Sequence, residues 1–180
     1  NAFVVVPMIA VGYPIFLANN ITWNKEFPSW YVVLLQQILF FIGEDFFEFW
    51  LHRLLHVGPL YRYVHKVHHY FKAPFGLSGS FAHPIEIVVL GMATFAPALI
   101  LRPHTFSFYI WIQLRNFDAV ITHCGFELPF NFLHYLGPIY GGTKFHDFHH
   151  TSLNYNFASR FTLLDKLCGT YVDPDKFKAE

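Results

Sequence analysis

Between His52 and His69 the chain reads HRLLHVGPLYRYVHKVHH, and five of those residues are histidines at helical spacing. His52 and His56 form an i, i+4 pair, and His65, His68 and His69 an i, i+3, i+4 set, so each group projects its imidazoles from one side of its own helix. A second triplet, His146, His149 and His150 in HDFHH, repeats the latter spacing far down the chain. These three motifs hold eight of the twelve histidines, a density that packing does not explain. Imidazoles so arranged suit zinc, iron, copper or nickel, and eight exceed what one ion can hold, so two metals are expected. His83, in Ala82-His83-Pro84, is a further candidate ligand. His104 and His134 stand alone and read as structural.

Neutral imidazoles leave the charge of two divalent ions uncompensated, which is costly in an apolar setting. Asp45, Glu48, Asp118 and Asp147 are the acids in reach. Asp45 lies seven residues and Glu48 four residues before His52, so on a continuous helix Asp45, Glu48, His52 and His56 share one stripe. Each of the four acids is expected to accept a hydrogen bond from the outer nitrogen of a ligand histidine and to fix its tautomer. Spacing alone leaves hydrolytic and oxidative two-metal chemistry both open. The two cysteines, Cys124 and Cys168, form no C-x-x-C pair, which argues against a thiolate site or a disulfide framework.

The elements that must carry these residues are helices, and an all-α fold is expected. At 54% hydrophobic and 13% charged the chain is too apolar for an ordinary soluble domain. Zero formal charge gives no basic surface for nucleic acid. Apolar runs over 1–18, 30–51, 85–101 and 105–121 predict a membrane bundle of about four spans, although the last two, at about 25 Å each, also fit a shallow hairpin. The rest, 122–180, reads as a histidine-rich helical cap, and 1–180 as a single domain. The Val57-Gly58-Pro59 break turns the chain between the first two motifs, 65–70 predicts a short helix, and 160–167 another that ends before Gly169. Pro84 and Glu86 suit the first and third positions of the third span. The chain opens on Asn1 within an apolar run, as a partial sequence would.

Counting spans puts all the histidine motifs on one face. Four basic residues (Arg53, Arg62, Lys66, Lys72) and five more (Lys144, Arg160, Lys166, Lys176, Lys178) share that face, against Lys25 and Arg102 opposite, so the positive-inside rule makes it cytosolic. Asn20-Ile21-Thr22, a glycosylation triplet, then falls on the far side.

HRLLH, HKVHH and HDFHH resemble, in order and spacing, the three histidine boxes of the fatty acid hydroxylase/sterol desaturase superfamily of membrane non-haem di-iron oxygenases. Ala73-Pro74-Phe75-Gly76 followed by Ala82-His83-Pro84-Ile85-Glu86 is most similar to the C-4 methylsterol oxidases. The tail, Asn156-Phe157-Ala158 through Asp165-Lys166 to Gly169-Thr170, is also similar to the sterol 25-hydroxylases. The resemblance implies that His52, His56, His65, His68, His69, His146, His149 and His150 ligate two irons, with His123 as a ninth ligand. It further implies an O2-dependent monooxygenase acting on a membrane lipid, with methyl groups at C-4 of a sterol as the leading target. Electrons would come from NAD(P)H through cytochrome b5 and its reductase, since the chain has no nucleotide fingerprint of its own. In a eukaryote the endoplasmic reticulum is implied. The rival readings are a 25-hydroxylase-like enzyme, a fatty acyl or sphingolipid hydroxylase, and a membrane metal-binding protein without turnover.

Overall fold

The computed structural model describes residues 2–23, 26–129 and 131–177. Asn1, Lys25 and Lys178, which entered the reading of the chain's start and charge, lie outside them. The described residues form helices and turns without a strand, apart from one isolated antiparallel bridge between Tyr140 and Phe161. Four long helices, α1 (Ala2–Ala18), α2 (Trp30–Leu55), α4 (Pro84–Leu101) and α5 (Thr105–His123), follow the four apolar runs. The short helix α3 (Gly58–Tyr63) and a 3-10 segment (His65–Tyr70) connect α2 to α4. The cap holds α6 (Gly142–Ser152) and α7 (Leu163–Cys168). The expected helix over 160–167 is shorter and later than predicted, because residues before Thr162 are committed to other partners described below.

Local sequence explains the boundaries. α2 runs 26 residues without proline and stops at Val57-Gly58-Pro59, where Pro59 starts α3. α4 opens on Pro84 behind His83, whose Nδ1 accepts the Ile85 N–H, and α5 opens behind His104, which caps Phe106 N–H in the same way. Thus two helix starts are read correctly, and both use histidine as the cap.

α2 packs along α4 more extensively than any other pair of elements meets. A glycine makes this possible: a Cβ on Gly43 would stand 3.0 Å from Pro97 Cγ, so the helices cross where one has no side chain and the other a ring. Two apolar clusters result. Phe40, Ala98, Trp111 and Ile21 are buried together at the far end, among α2, α4 and α5, while Phe49, Phe145, Phe157 and Ala158 join the lower half of α2 to the cap. In the second cluster Phe49 and Phe145 are almost fully buried, and each contributes about 1.5–3 kcal/mol relative to exposure in water. The outward face of α2 carries Trp30, Leu34, Leu35, Ile38, Ile42 and Trp50 in the open.

Among the described residues one helix, Pro84–Leu101, is long and apolar enough by itself to cross a membrane. In α2 the acids Glu44, Asp45 and Glu48 interrupt the apolar run, and α5 carries Arg115 and Asp118.

Candidate metal centre

The three histidine motifs and His123 converge in the fold as two adjacent groups. His52, His56, His65, His69 and His149 form one, and His68, His123, His146 and His150 the other, with the ligand atoms of each group within 4.8 Å of one another. The lower end of α2, the 3-10 segment and α6 supply the five, and the 3-10 segment, the last residue of α5 and α6 supply the four. The two triplets are thus divided: His65 and His69 turn to one group and His68 to the other, and in α6 His149 is separated from His146 and His150. Gly79 lets its loop lie flat on the second group, since a Cβ there would stand 2.9 Å from His123 Nδ1.

Hydrogen bonds fix which ring nitrogens face inward. His52 Nδ1–H donates to the Phe157 carbonyl at 2.6 Å, His149 Nδ1–H to Tyr155 at 2.7 Å, and His123 Nδ1–H to Ala119 at 2.8 Å. A carbonyl only accepts, so these Nδ1 atoms carry the protons and their Nε2 lone pairs are bare. His65 Nδ1 lies 3.0 Å from Glu86 Oε1, and an ionised Glu86 there requires the proton on Nδ1, which bares the His65 Nε2 as well. Yet His52 Nε2 and His65 Nε2 stand 3.0 Å apart, and His149 Nε2 is buried with no hydrogen-bond partner among the described residues. In the second group His123 Nε2 is 2.9 Å from His146 Nε2, which is 3.2 Å from His150 Nε2.

Bare lone pairs at such distances repel one another unless a cation sits among them. With imidazole–metal bonds of about 2.0–2.1 Å, neighbouring ligand nitrogens on one ion stand roughly 3 Å apart, the spacing found here. The donor set therefore fits two metal ions. Burial, followed by the mutual charge of the imidazoles, holds the rings neutral: the pKa of His69 falls to about 2, and those of His68, His146 and His149 lie well below the usual value. Neutral imidazole is the form that ligates a metal.

The acids are placed differently from the sequence expectation. None of Asp45, Glu48, Asp118 and Asp147 hydrogen-bonds a histidine among the described residues. Asp45 accepts the backbone N–H groups of Arg160 and Phe161, Glu48 accepts the Ser159 hydroxyl, and Asp118 accepts Arg160 Nε–H. Asp147 is half-buried, and its carboxylate makes no hydrogen bond among the described residues. His83 lies in neither group and serves as the cap of α4. For Asp45 and Glu48 the reason is that a stripe on α2 faces whatever element packs there, and the cap loop around Arg160 occupies it, while the Arg160 side chain takes Asp118 from α5. Glu86, read from the sequence as a helix-start residue, is the carboxylate that meets the histidines, 3.0 Å from His65 and 4.0 Å from His68. No local signal separates those roles, because both place an acid in the first turn.

Arg160 is 2% exposed and bridges Glu44 and Asp118, with Glu48 nearby, while Arg115 adds a second bond to Glu44. Although burial opposes its charge, this ring of carboxylates holds the guanidinium pKa above its ordinary value. A cavity of about 570 Å³ opens beside the centre. His68, His123 and His146 of the second group but only His52 and His65 of the first line it, and Ile87, Leu90, Phe95 and Ile112 form apolar wall further along α4 and α5.

Comparison with known proteins now decides the family. The fatty acid hydroxylase profile matches residues 37–170. The chain belongs to the fatty acid hydroxylase family. It is 39% identical over 176 residues to the very-long-chain aldehyde decarbonylase GL1-11 of Oryza sativa subsp. indica, covering 96% of this chain and 66% of the relative. With methylsterol monooxygenase 2-2 of Arabidopsis thaliana the identity is 40% over 167 residues, 91% of this chain and 62% of the relative. With methylsterol monooxygenase 1 of Gallus gallus it is 39% over 169 residues, 93% and 57%. The chain thus spans less than two thirds of the length of these relatives. No solved structure matches it.

Proposed function

We propose that this family member is a membrane-embedded, two-metal monooxygenase that hydroxylates an unactivated C–H bond of a sterol, with the methyl groups at C-4 as target. The observation that carries this reading is the meeting of two all-histidine groups with an apolar-walled cavity. His52, His56, His65, His69 and His149 would hold one iron, and His68, His123, His146 and His150 the other. Bound iron supplies O2 reduction and C–H oxidation with electrons from an external NAD(P)H-linked carrier, the role cytochrome b5 and its reductase would fill at the cap. The chain's own residues keep the imidazoles neutral and aimed, exclude water through the apolar cluster below, and hold the lipid in register along α4 and α5. Relatives named methylsterol monooxygenases support the sterol target.

Four spans, α1, α2, α4 and α5, would carry the centre at the cytosolic face of a multi-pass protein, in the endoplasmic reticulum of a eukaryote. The exposed apolar face of α2 supports this, since water would penalise it and lipid would not. A second reading, a very-long-chain aldehyde as substrate, draws on the equally similar rice relatives. The deciding experiment is O2 and reductant consumption by the iron-loaded, reconstituted protein with a panel of 4-methylsterols, other sterols, fatty acyl lipids and long-chain aldehydes, beside a His149→Ala control. Uptake coupled to 4-methylsterol alone is the expected result. Uptake with aldehyde alone would favour the second reading, and stable metal binding with no uptake would reduce the protein to a metal carrier.

A further inference from the structure

The cap loop Tyr155–Phe161 supplies no metal-binding side chain, yet the two carbonyls that fix the five-histidine group both belong to it. Tyr155 O takes the His149 proton and Phe157 O the His52 proton. Carbonyls two residues apart face two histidines of one group, with Asn156 between them in the left-handed conformation, φ 59°. Asparagine tolerates this region better than most residues. Its buried side chain accepts the Val172 N–H and donates to the Val172 carbonyl, so the turn is locked to the tail beyond α7.

The same loop is held from behind by carboxylates. Asp165, fully buried, accepts Phe157 N–H on one oxygen at 2.9 Å and Ala158 N–H on the other at 2.8 Å, while the Thr170 hydroxyl donates to the first oxygen. Asp45 takes the next pair of N–H groups, Arg160 and Phe161. The four-histidine group has less such support: His123 bonds a carbonyl of its own helix, only the Phe71 carbonyl lies near the His150 ring, and the outer nitrogen of His146 has no hydrogen-bond partner among the described residues.

We infer that Asp165 is a positioning residue for one metal of the two, acting through the 155–158 backbone to set the tautomer and aim of His52 and His149. This rests on the two-metal reading above. An isosteric Asp165→Asn turns one acceptor oxygen into an NH2 donor that opposes a backbone N–H, so the Phe157 carbonyl must move while the cap keeps its shape.

The test is metal titration of the full chain in detergent, with Fe(II) and with Co(II) followed by its absorption spectrum. The parent protein should bind two equivalents. D165N should hold one as the parent does and bind the other about 10-fold or more weakly, as outer partners of ligand histidines commonly require. On a His52→Ala/His149→Ala background, where the loop has nothing to aim, D165N should leave the remaining equivalent unchanged. If D165N does not fold by circular dichroism, Asp165→Glu, which keeps the charge but displaces both contacts, carries the same test. Equal weakening of both equivalents, or parent affinity at both in the folded variant, overturns the inference. A parent protein binding fewer than two equivalents removes the two-metal reading itself, and this inference with it.

Discussion

The two histidine groups are assembled from the same motifs but held in different ways. In the five-histidine group, outer nitrogens of three members reach outside their own helices, to Phe157 O, Tyr155 O and Glu86. In the four-histidine group His123 bonds its own helix at Ala119, only the Phe71 carbonyl near His150 comes from another element, and three of the four rings line the cavity. One group is therefore braced more heavily by tertiary structure, and the other lies more open to the cavity. A two-metal centre with one anchored and one accessible ion can hold its geometry while still admitting a ligand.

The largest expected effects test whether the groups are separable. His149→Ala and His146→Ala should each abolish lipid-dependent O2 uptake and lower bound metal from two equivalents toward one, measured by elemental analysis of purified protein. Loss of both equivalents in either variant would show a single cooperative centre rather than two sites. Next comes the ionic clamp above them: Arg160→Ala leaves Asp118 buried without its cation and Glu44 with Arg115 alone, and should cost about 3–5 kcal/mol in denaturant unfolding, with both metals weakened together. Glu86→Gln sharpens the comparison, because this acid meets His65 of one group and stands near His68 of the other. It should weaken metal by about 10–100-fold at the five-histidine site and less at the other, read by competition with a chelator. The smallest effect belongs to His83→Ala, which should cost about 1 kcal/mol as a lost helix cap and leave the metal content unchanged.

Much of this was legible beforehand for a physical reason. Apolar runs bounded by Pro, Gly and polar residues have one stable solution, a helix, so α1, α2, α4 and α5 fall where hydrophobicity alone puts them. His52 with His56, and the two triplets, face together by helical geometry. What the periodicity could not supply was partition. Within His65, His68 and His69 the spacing is compatible with one shared ion, and only the approach of α6 and His123 sends His68 to a different group from its neighbours. The acids show the same limit more sharply. Asp45 and Glu48 do lie on the stripe that leads to His52, but a stripe says nothing of what is packed against it. Arg160, counted from sequence among the basic residues of the cytosolic face, is buried, with its guanidinium bridging Glu44 and Asp118.

The sequence by itself determined the donor chemistry, the helical scaffold and the family, since these depend on residue type and on spacing within a few turns. The tertiary structure alone decided which histidines stand in one group, that Glu86 rather than Asp118 meets them, and that the loop held by Asp165 bonds His52 and His149. The meetings of His68 with His123 and of His52 with Phe157 join residues 55 and 105 positions apart; their energies follow from which surfaces meet and in what register, and no local pattern encodes that meeting.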